Sequence, residues 1–171
     1  ATTWSLDNFG QLLVGCASSD GKLVSWDLNG SNNAATISNA PTDCKALLVT
    51  EERFLFALAS GGNSRKISWC DKEALTTWSA SATNEAGDIE LQTTGRIQCG
   101  IRARGQSLIL TTNDAHTASY TGPPYVYSFS RVGTNCGIIS RKAAASVDAG
   151  VFWMGERGFF KFNGSSVEPV K

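Results

Sequence analysis

The chain of 171 residues has one histidine, one methionine and four prolines, and its net charge at pH 7 is zero. The lone His116 excludes chemistries that need two imidazoles, including most catalytic zinc sites and the HExxH arrangement. Its five cysteines, Cys16, Cys44, Cys70, Cys99 and Cys136, are odd in number and contain no CxxC pair. Neither a zinc knuckle nor a complete disulfide framework is therefore indicated, and the five read as buried thiols. Fifteen basic side chains balance fifteen acidic ones, which removes bulk electrostatic attraction to nucleic acid or anionic lipid. No apolar run approaches the roughly 18 to 20 residues that carry a helix across a bilayer, and the N-terminus lacks the basic and apolar regions of a signal peptide. No membrane partner, cofactor or metal is expected. A chain that starts at Ala1, with its methionine at Met154, is expected to be part of a longer polypeptide.

What the chain has in quantity is glycine, 17 residues, and a 42% hydrophobic share in which Val, Ile, Phe and Trp recur beside Thr and Ser. That mixture favours strands and tight turns. One pattern occurs four times: a glycine or charged turn, an apolar run, a polar turn, then a strand ending in an aromatic. In the first copy LLVGCASS passes through Asp20-Gly21 into KLVSWDLNG, and Asp-Gly between such runs is a hairpin signal. The second runs CKALLVT, FLFALAS, RKISWCD; the third GRIQCGIRA, SLILTT, AHTASYTG; the fourth SRKAAASV, VFWMG, FFKFNG. Their second tight turns lie near Asp20, Gly62, Asn113 and Arg157, giving steps of about 42, 51 and 44 residues. A period of roughly 40 to 50 residues with three or four strands per unit is the pattern of a β-propeller. The fold expected is all-β, a β-propeller-like array of about four antiparallel three- to four-stranded blades in a single domain. The units fall at about 1–30, 44–71, 95–122 and 136–164, with insertions at 31–43, 72–94 and 123–135. Helix is expected nowhere beyond one turn near Asp71 to Ser79.

Several groups are candidates for chemistry. Asp114 and His116 share a strand face by their spacing, while Ser119 points the other way and no GxSxG elbow accompanies them. A structural or solvent-facing histidine is the expectation, and no catalytic residue is assigned. Asp88 and Glu90 in GDIEL alternate along a strand beside Trp78, an arrangement that could flank a sugar in a carbohydrate-binding or glycoside-hydrolysing propeller. Arg102 and Arg104 also alternate and form a candidate channel-facing basic pair, able to lie near a nucleic-acid backbone without reading its sequence. Trp26, Trp69, Tyr120 and Phe160 or Phe162 close equivalent strands and read as core. Trp78 and the Tyr125/Tyr127 face of YVYSF read instead as partner contacts. Ser25-Trp26-Asp27 allows a generic protein-interaction propeller, without the Gly-His partner motif of that class.

An ordered set of segments resembles a known family: ISWCDKEALTTWSASATNEAGDIELQTTGRI, then RGQSLILTTNDAHTASYTGPPYVYSF, then VGTNCGIIS, then GVFWMGERGFFKFNG. This order is similar to that in the β-propeller tail hub or nozzle proteins of short-tailed phages, which stabilise packaged DNA below the portal. The similarity spans roughly Leu47 to Gly164, and its most specific parts lie at Trp69 to Leu91, Gly122 to Val126 and Gly150 to Gly155. It implies a non-enzymatic structural part of a virion, assembled in the host bacterial cytoplasm and packed in a ring around or below the DNA channel. The implied partners are other copies of itself and neighbouring tail and portal proteins, with DNA close by.

Overall fold

The computed structural model describes residues 2–171. Among the described residues, sixteen strands form four sheets, each a four-stranded antiparallel meander in sequence order. Blade 1 holds β1 (Trp4–Phe9), β2 (Leu12–Ala17), β3 (Leu23–Trp26) and β4 (Ala35–Thr36). Blade 2 holds β5 (Ala46–Val49), β6 (Leu55–Leu58), β7 (Lys66–Trp69) and β8 (Gly87–Glu90). Blade 3 holds β9 (Ile97–Ala103), β10 (Gln106–Thr111), β11 (Asp114–Gly122) and β12 (Val126–Thr134). Blade 4 holds β13 (Ala144–Val147), β14 (Gly150–Gly155), β15 (Gly158–Phe162) and β16 (Val167–Pro169). The fold is an all-β, propeller-like array of four four-stranded blades.

The chain divides into two compact units, Ala1–Glu90 with blades 1 and 2, and Leu91–Lys171 with blades 3 and 4. In the first unit Phe9, Val14, Cys16 and Leu23 of blade 1 pack with Leu47, Val49, Leu55 and Ala57 of blade 2. In the second, Cys99, Leu108, Leu110 and Ala115 of blade 3 pack with Val151, Trp153 and Phe162 of blade 4. Full burial of each large aliphatic or aromatic side chain contributes about 1.5–3 kcal/mol, so a blade alone, with one apolar face open, has too little core to stand.

The first strands of neighbouring blades meet through side chains. Ser5 Oγ donates to the Leu47 carbonyl at 3.0 Å and accepts the Leu47 N–H at 3.2 Å, and Asp7 Oδ2 accepts the Val49 N–H at 3.0 Å. Residues two apart on β1 thus serve residues two apart on β5, whose outer edge would otherwise present bare N–H groups. In the second unit Ser146 Oγ donates to the Arg102 carbonyl at 3.1 Å, and an Arg141 N–H donates to the Gln98 carbonyl at 2.9 Å.

The segments read from sequence as insertions each carry the fourth strand of their blade: β4 within 31–43, β8 within 72–94 and β12 within 123–135. β4 and β8 are short edge strands, too short to show an alternating pattern. The DKEAL segment is an irregular turn with an Asp71–Ala74 bridge, and a 3-10 turn occurs at Ser60–Gly62 instead. No helix among the described residues is long and apolar enough to cross a membrane. Gly21, at φ +69°, turns blade 1 back against Asp43, whose Cα would lie 2.6 Å from any Cβ placed there; glycine alone fits both demands.

Candidate functional site

The second unit carries a cleft of about 350 Å³, walled by the β10–β11 turn at Thr112 and Asn113, the β14–β15 turn at Glu156 and Arg157, and Asn135, Arg131 and Phe160. Close passage of chain makes this shape. The segment after β12 runs along the β10–β11 turn, with the Cys136 N–H donating to the Asn113 carbonyl and the Ile138 N–H to the Thr111 carbonyl. A Cβ on Gly137 would lie 1.8 Å from the Thr112 carbonyl oxygen, and one on Gly155 2.6 Å from the Gly137 carbonyl oxygen.

Lining the cleft is the most heavily bonded carboxylate of the unit, Asp114. Asp114 is 5% exposed. It accepts from Thr111 Oγ1 at 2.6 Å, from Thr93 Oγ1 at 2.9 and 3.0 Å, and faces His116 Nε2 at 3.1 Å and Arg131 Nε at 3.4 Å. Thr111 Oγ1 in turn accepts the N–H of Asn113 and of Asp114, and Thr93 Oγ1 accepts the N–H of Gly95. Arg131 also donates to the Gln92 carbonyl. The carboxylate therefore ties the approach to β9, the end of β10, the start of β11 and β12 into one knot. Its lone pairs are committed to the scaffold, and so is the one imidazole, which is 4% exposed. The mouth of the cleft presents Glu156, Arg157 and Asn135, a hydrogen-bonding rim of mixed charge beside the Phe160 ring, which stacks 5.9 Å from Trp153.

Other residues singled out from sequence lie elsewhere. Asp88 and Glu90 sit exposed on β8, where Asp88 pairs with Lys66 at 2.8 Å and Glu90 with Arg65. Trp78 is partly buried against the blade 1–blade 2 core and donates from Nε1 to the Leu75 carbonyl at 2.6 Å, so it is half a core residue. Tyr125 and Tyr127 do not share a face: Tyr125 is 82% exposed in the turn before β12, while Tyr127 is 6% exposed and its ring lies 5.6 Å from Tyr120. Val126 between them, at φ +66°, breaks the alternation that strand spacing assumes. Arg102 and Arg104 are both exposed, Arg102 on β9 and Arg104 in the turn that follows. Ser119 lies on β11 away from Asp114. All five cysteines are free and buried, and the described residues contain no group of three or more His, Cys, Asp or Glu able to hold a metal ion. Thr93 and Thr111 were not apparent as functional partners; the sequence signal that marks them is a threonine pair ahead of a turn, Thr111-Thr112 before Asn113-Asp114 and Thr93-Thr94 before Gly95.

No protein-family model and no curated protein matches the chain. Solved structures do match it in fold. A streptogramin B lyase structure is similar with a TM-score of 0.61 and 10% identity, over 98% of this chain and 54% of that one. The dihydro-heme d1 dehydrogenase NirN is similar with a TM-score of 0.61 and 13% identity, over 97% of this chain and 37% of that one. The computationally designed Ika4 protein is similar with a TM-score of 0.56 and 12% identity, over 100% of this chain and 92% of that one. The chain thus spans about half or less of the length of the lyase and dehydrogenase structures, and these likenesses establish a propeller-type fold.

Proposed function

We propose that this chain is a non-enzymatic structural component of a phage virion of the tail hub or nozzle type, packed in a ring around or below the DNA channel. The observation that carries the reading is the ordered run of segments from Trp69 to Gly155, a set of turns and aromatics whose sequence order resembles that family. The use of polar groups supports it. Asp88 and Glu90 are spent on edge-strand ion pairs, and Asp114 and His116 on the knot in the cleft wall, so the side chains with chemical potential serve the scaffold. Partners in this reading are other copies of the chain and neighbouring tail and portal proteins, with Tyr125 as an exposed contact and Arg102 and Arg104 as basic groups near DNA. The test is to probe virions from the source culture, purified by density gradient, with an antibody raised against this chain. Co-sedimentation with intact particles and retention after salt washing is the expected result; absence from particles overturns the reading.

A second reading, a carbohydrate-binding propeller, is favoured by one feature, the cleft with Phe160 beside Glu156, Arg157 and Asn135, a ring flanked by hydrogen-bonding groups. A glycan array tests it: binding lost on Arg157→Ala supports a saccharide site there, and an array without signal removes it.

A further inference from the structure

The neutrality of the chain conceals a partition of charge. Ala1–Glu90 holds six Lys or Arg against eleven Asp or Glu, whereas Leu91–Lys171 holds nine against four. The first unit therefore bears a net charge of −5 and the second +5. From Leu91 to Val147 the one acidic residue is Asp114, and its oxygens are already committed to Thr93, Thr111, His116 and Arg131. The cleft thus opens in the cationic unit.

Within that unit cations gather at the cleft end. Arg131 and Arg157 line the cleft. Arg96 is exposed and fastened beside it: its N–H donates to Thr112 Oγ1 at 3.1 Å, and its carbonyl accepts the Thr112 N–H at 2.9 Å. Lys142, also exposed, precedes Ala143, whose carbonyl accepts the Met154 N–H just ahead of the β14–β15 turn. Against them the cleft mouth sets one exposed carboxylate, Glu156.

The lining groups differ in what they have left to offer. Asn113 Nδ2 is spent on Thr94 Oγ1, and Thr112 Oγ1 accepts the Arg96 N–H. At the mouth, among the described residues, no hydrogen bond or ion pair within the chain occupies the side chains of Thr134, Asn135, Glu156 or Arg157. A hydroxyl, an amide, a carboxylate and a guanidinium group are therefore available around one half-buried ring, Phe160, held in place by stacking on Trp153.

We infer that the cleft holds an anionic saccharide unit, a sugar carrying a carboxylate or phosphate group, with Arg157 taking the anion, Thr134, Asn135 and Glu156 the ring hydroxyls, and Phe160 the apolar face of the sugar. The inference rests on the reading of the cleft as a saccharide site and names its ligand class. Three features select that class. The guanidinium fork matches the geometry of a carboxylate or phosphate, and the positive field of the unit draws anions toward it. A volume of about 350 Å³ lies at the small end of ligand pockets and suits a sugar unit, whereas a polynucleotide strand needs an extended cationic groove with successive stacking rings. Glu156 accepts hydrogen bonds from hydroxyl groups and repels a run of phosphates.

The experiment is calorimetric titration of the 171-residue chain with four probes: an oligogalacturonate, its neutral methyl ester, a phosphorylated mannose oligosaccharide and a thymidine oligonucleotide. At least one acidic glycan is expected to bind one to one and about tenfold or more tighter than the neutral ester, and the better of the two identifies the anion as carboxylate or phosphate. Arg157→Ala, at an exposed turn position and checked for unchanged Tm, is expected to abolish the preference. Lys161→Ala removes the same charge from the far end of β15 and is expected to leave affinity within about twofold, since screening weakens a charge at that distance. Tighter binding of the oligonucleotide than of either acidic glycan overturns the inference, as does an equal loss of affinity in the two variants, because both results describe a diffuse polyanion surface. Binding of the neutral ester as tight as that of the acidic glycans sinks the anion and leaves the saccharide reading standing; no binding of any glycan sinks both.

Discussion

Burial decides the state of the cysteines. Removal from water pushes the thiol of Cys44 up to about 12, Cys70 to about 11, Cys99 to about 12 and Cys136 to about 11, because the thiolate loses its hydration. The folded chain therefore keeps these protons at pH values where the unfolded chain, near 9, has lost them. Stability is fully present below about pH 9 and falls between there and pH 11–12, by up to about 1.4 kcal/mol per pH unit for each thiol. Urea titrations at pH 8, 9 and 10 are expected to show the midpoint dropping mostly across the last two, and a colorimetric thiol reagent at pH 8 to label the native chain far more slowly than the unfolded one. Asp114→Ala is expected to cost about 2–4 kcal/mol, since it leaves two threonine hydroxyls, an imidazole and a guanidinium group without their acceptor; denaturant unfolding measures it. That Asp114 and His116 face the same way was legible from their spacing. The partners that fill the carboxylate were not, because Thr93 comes from another segment and the fold alone brings it there.

At the scale of elements, the blade repeat was legible wherever both strands of a hairpin alternate or run apolar, as in LLVGCA and FLFAL. The fourth strands were not: β4 has two residues, and β8 has a polar pattern whose meaning lies in its neighbour. Asp88 and Glu90 alternate as read, but cross-strand pairing with Lys66 and Arg65 turns them from a candidate sugar site into an edge fastening. Because all four groups are solvent-exposed, Asp88→Ala and Glu90→Ala are each expected to change stability by no more than about 0.5 kcal/mol, and an unfolding curve that shifts further would mean these ions do more. Gly137→Ala is the opposite case. Its Cβ would fall 1.8 Å from a carbonyl oxygen, so the chain must part from the β10–β11 turn, and a loss of at least about 3 kcal/mol with a disturbed cleft is expected; thermal unfolding and near-UV dichroism register both.

Over the whole molecule, charge balance sets how closely copies of the chain approach one another. With a sequence pI of about 6.8, the chain has its lowest net charge near neutrality, where nothing holds copies apart. Precipitation by polyethylene glycol is expected to need the least polymer near pH 6.8 and more at pH 5 or 8.5, and a flat profile would show that charge plays no part. The number of blades and their antiparallel order were legible from the period of the turns. Which faces stay open was not, because alternation marks a residue as apolar without saying whether another sheet arrives to cover it. The seam where β1 meets β5 has a further consequence. The amide protons of Leu47 and Val49 are held by side chains of the neighbouring blade, not by their own sheet, so in deuterated water their isotope uptake clocks the parting of two blades. Fraying of β5 from β6 leaves that clock untouched, which makes these two protons a built-in timer for the smallest cooperative opening of the first unit.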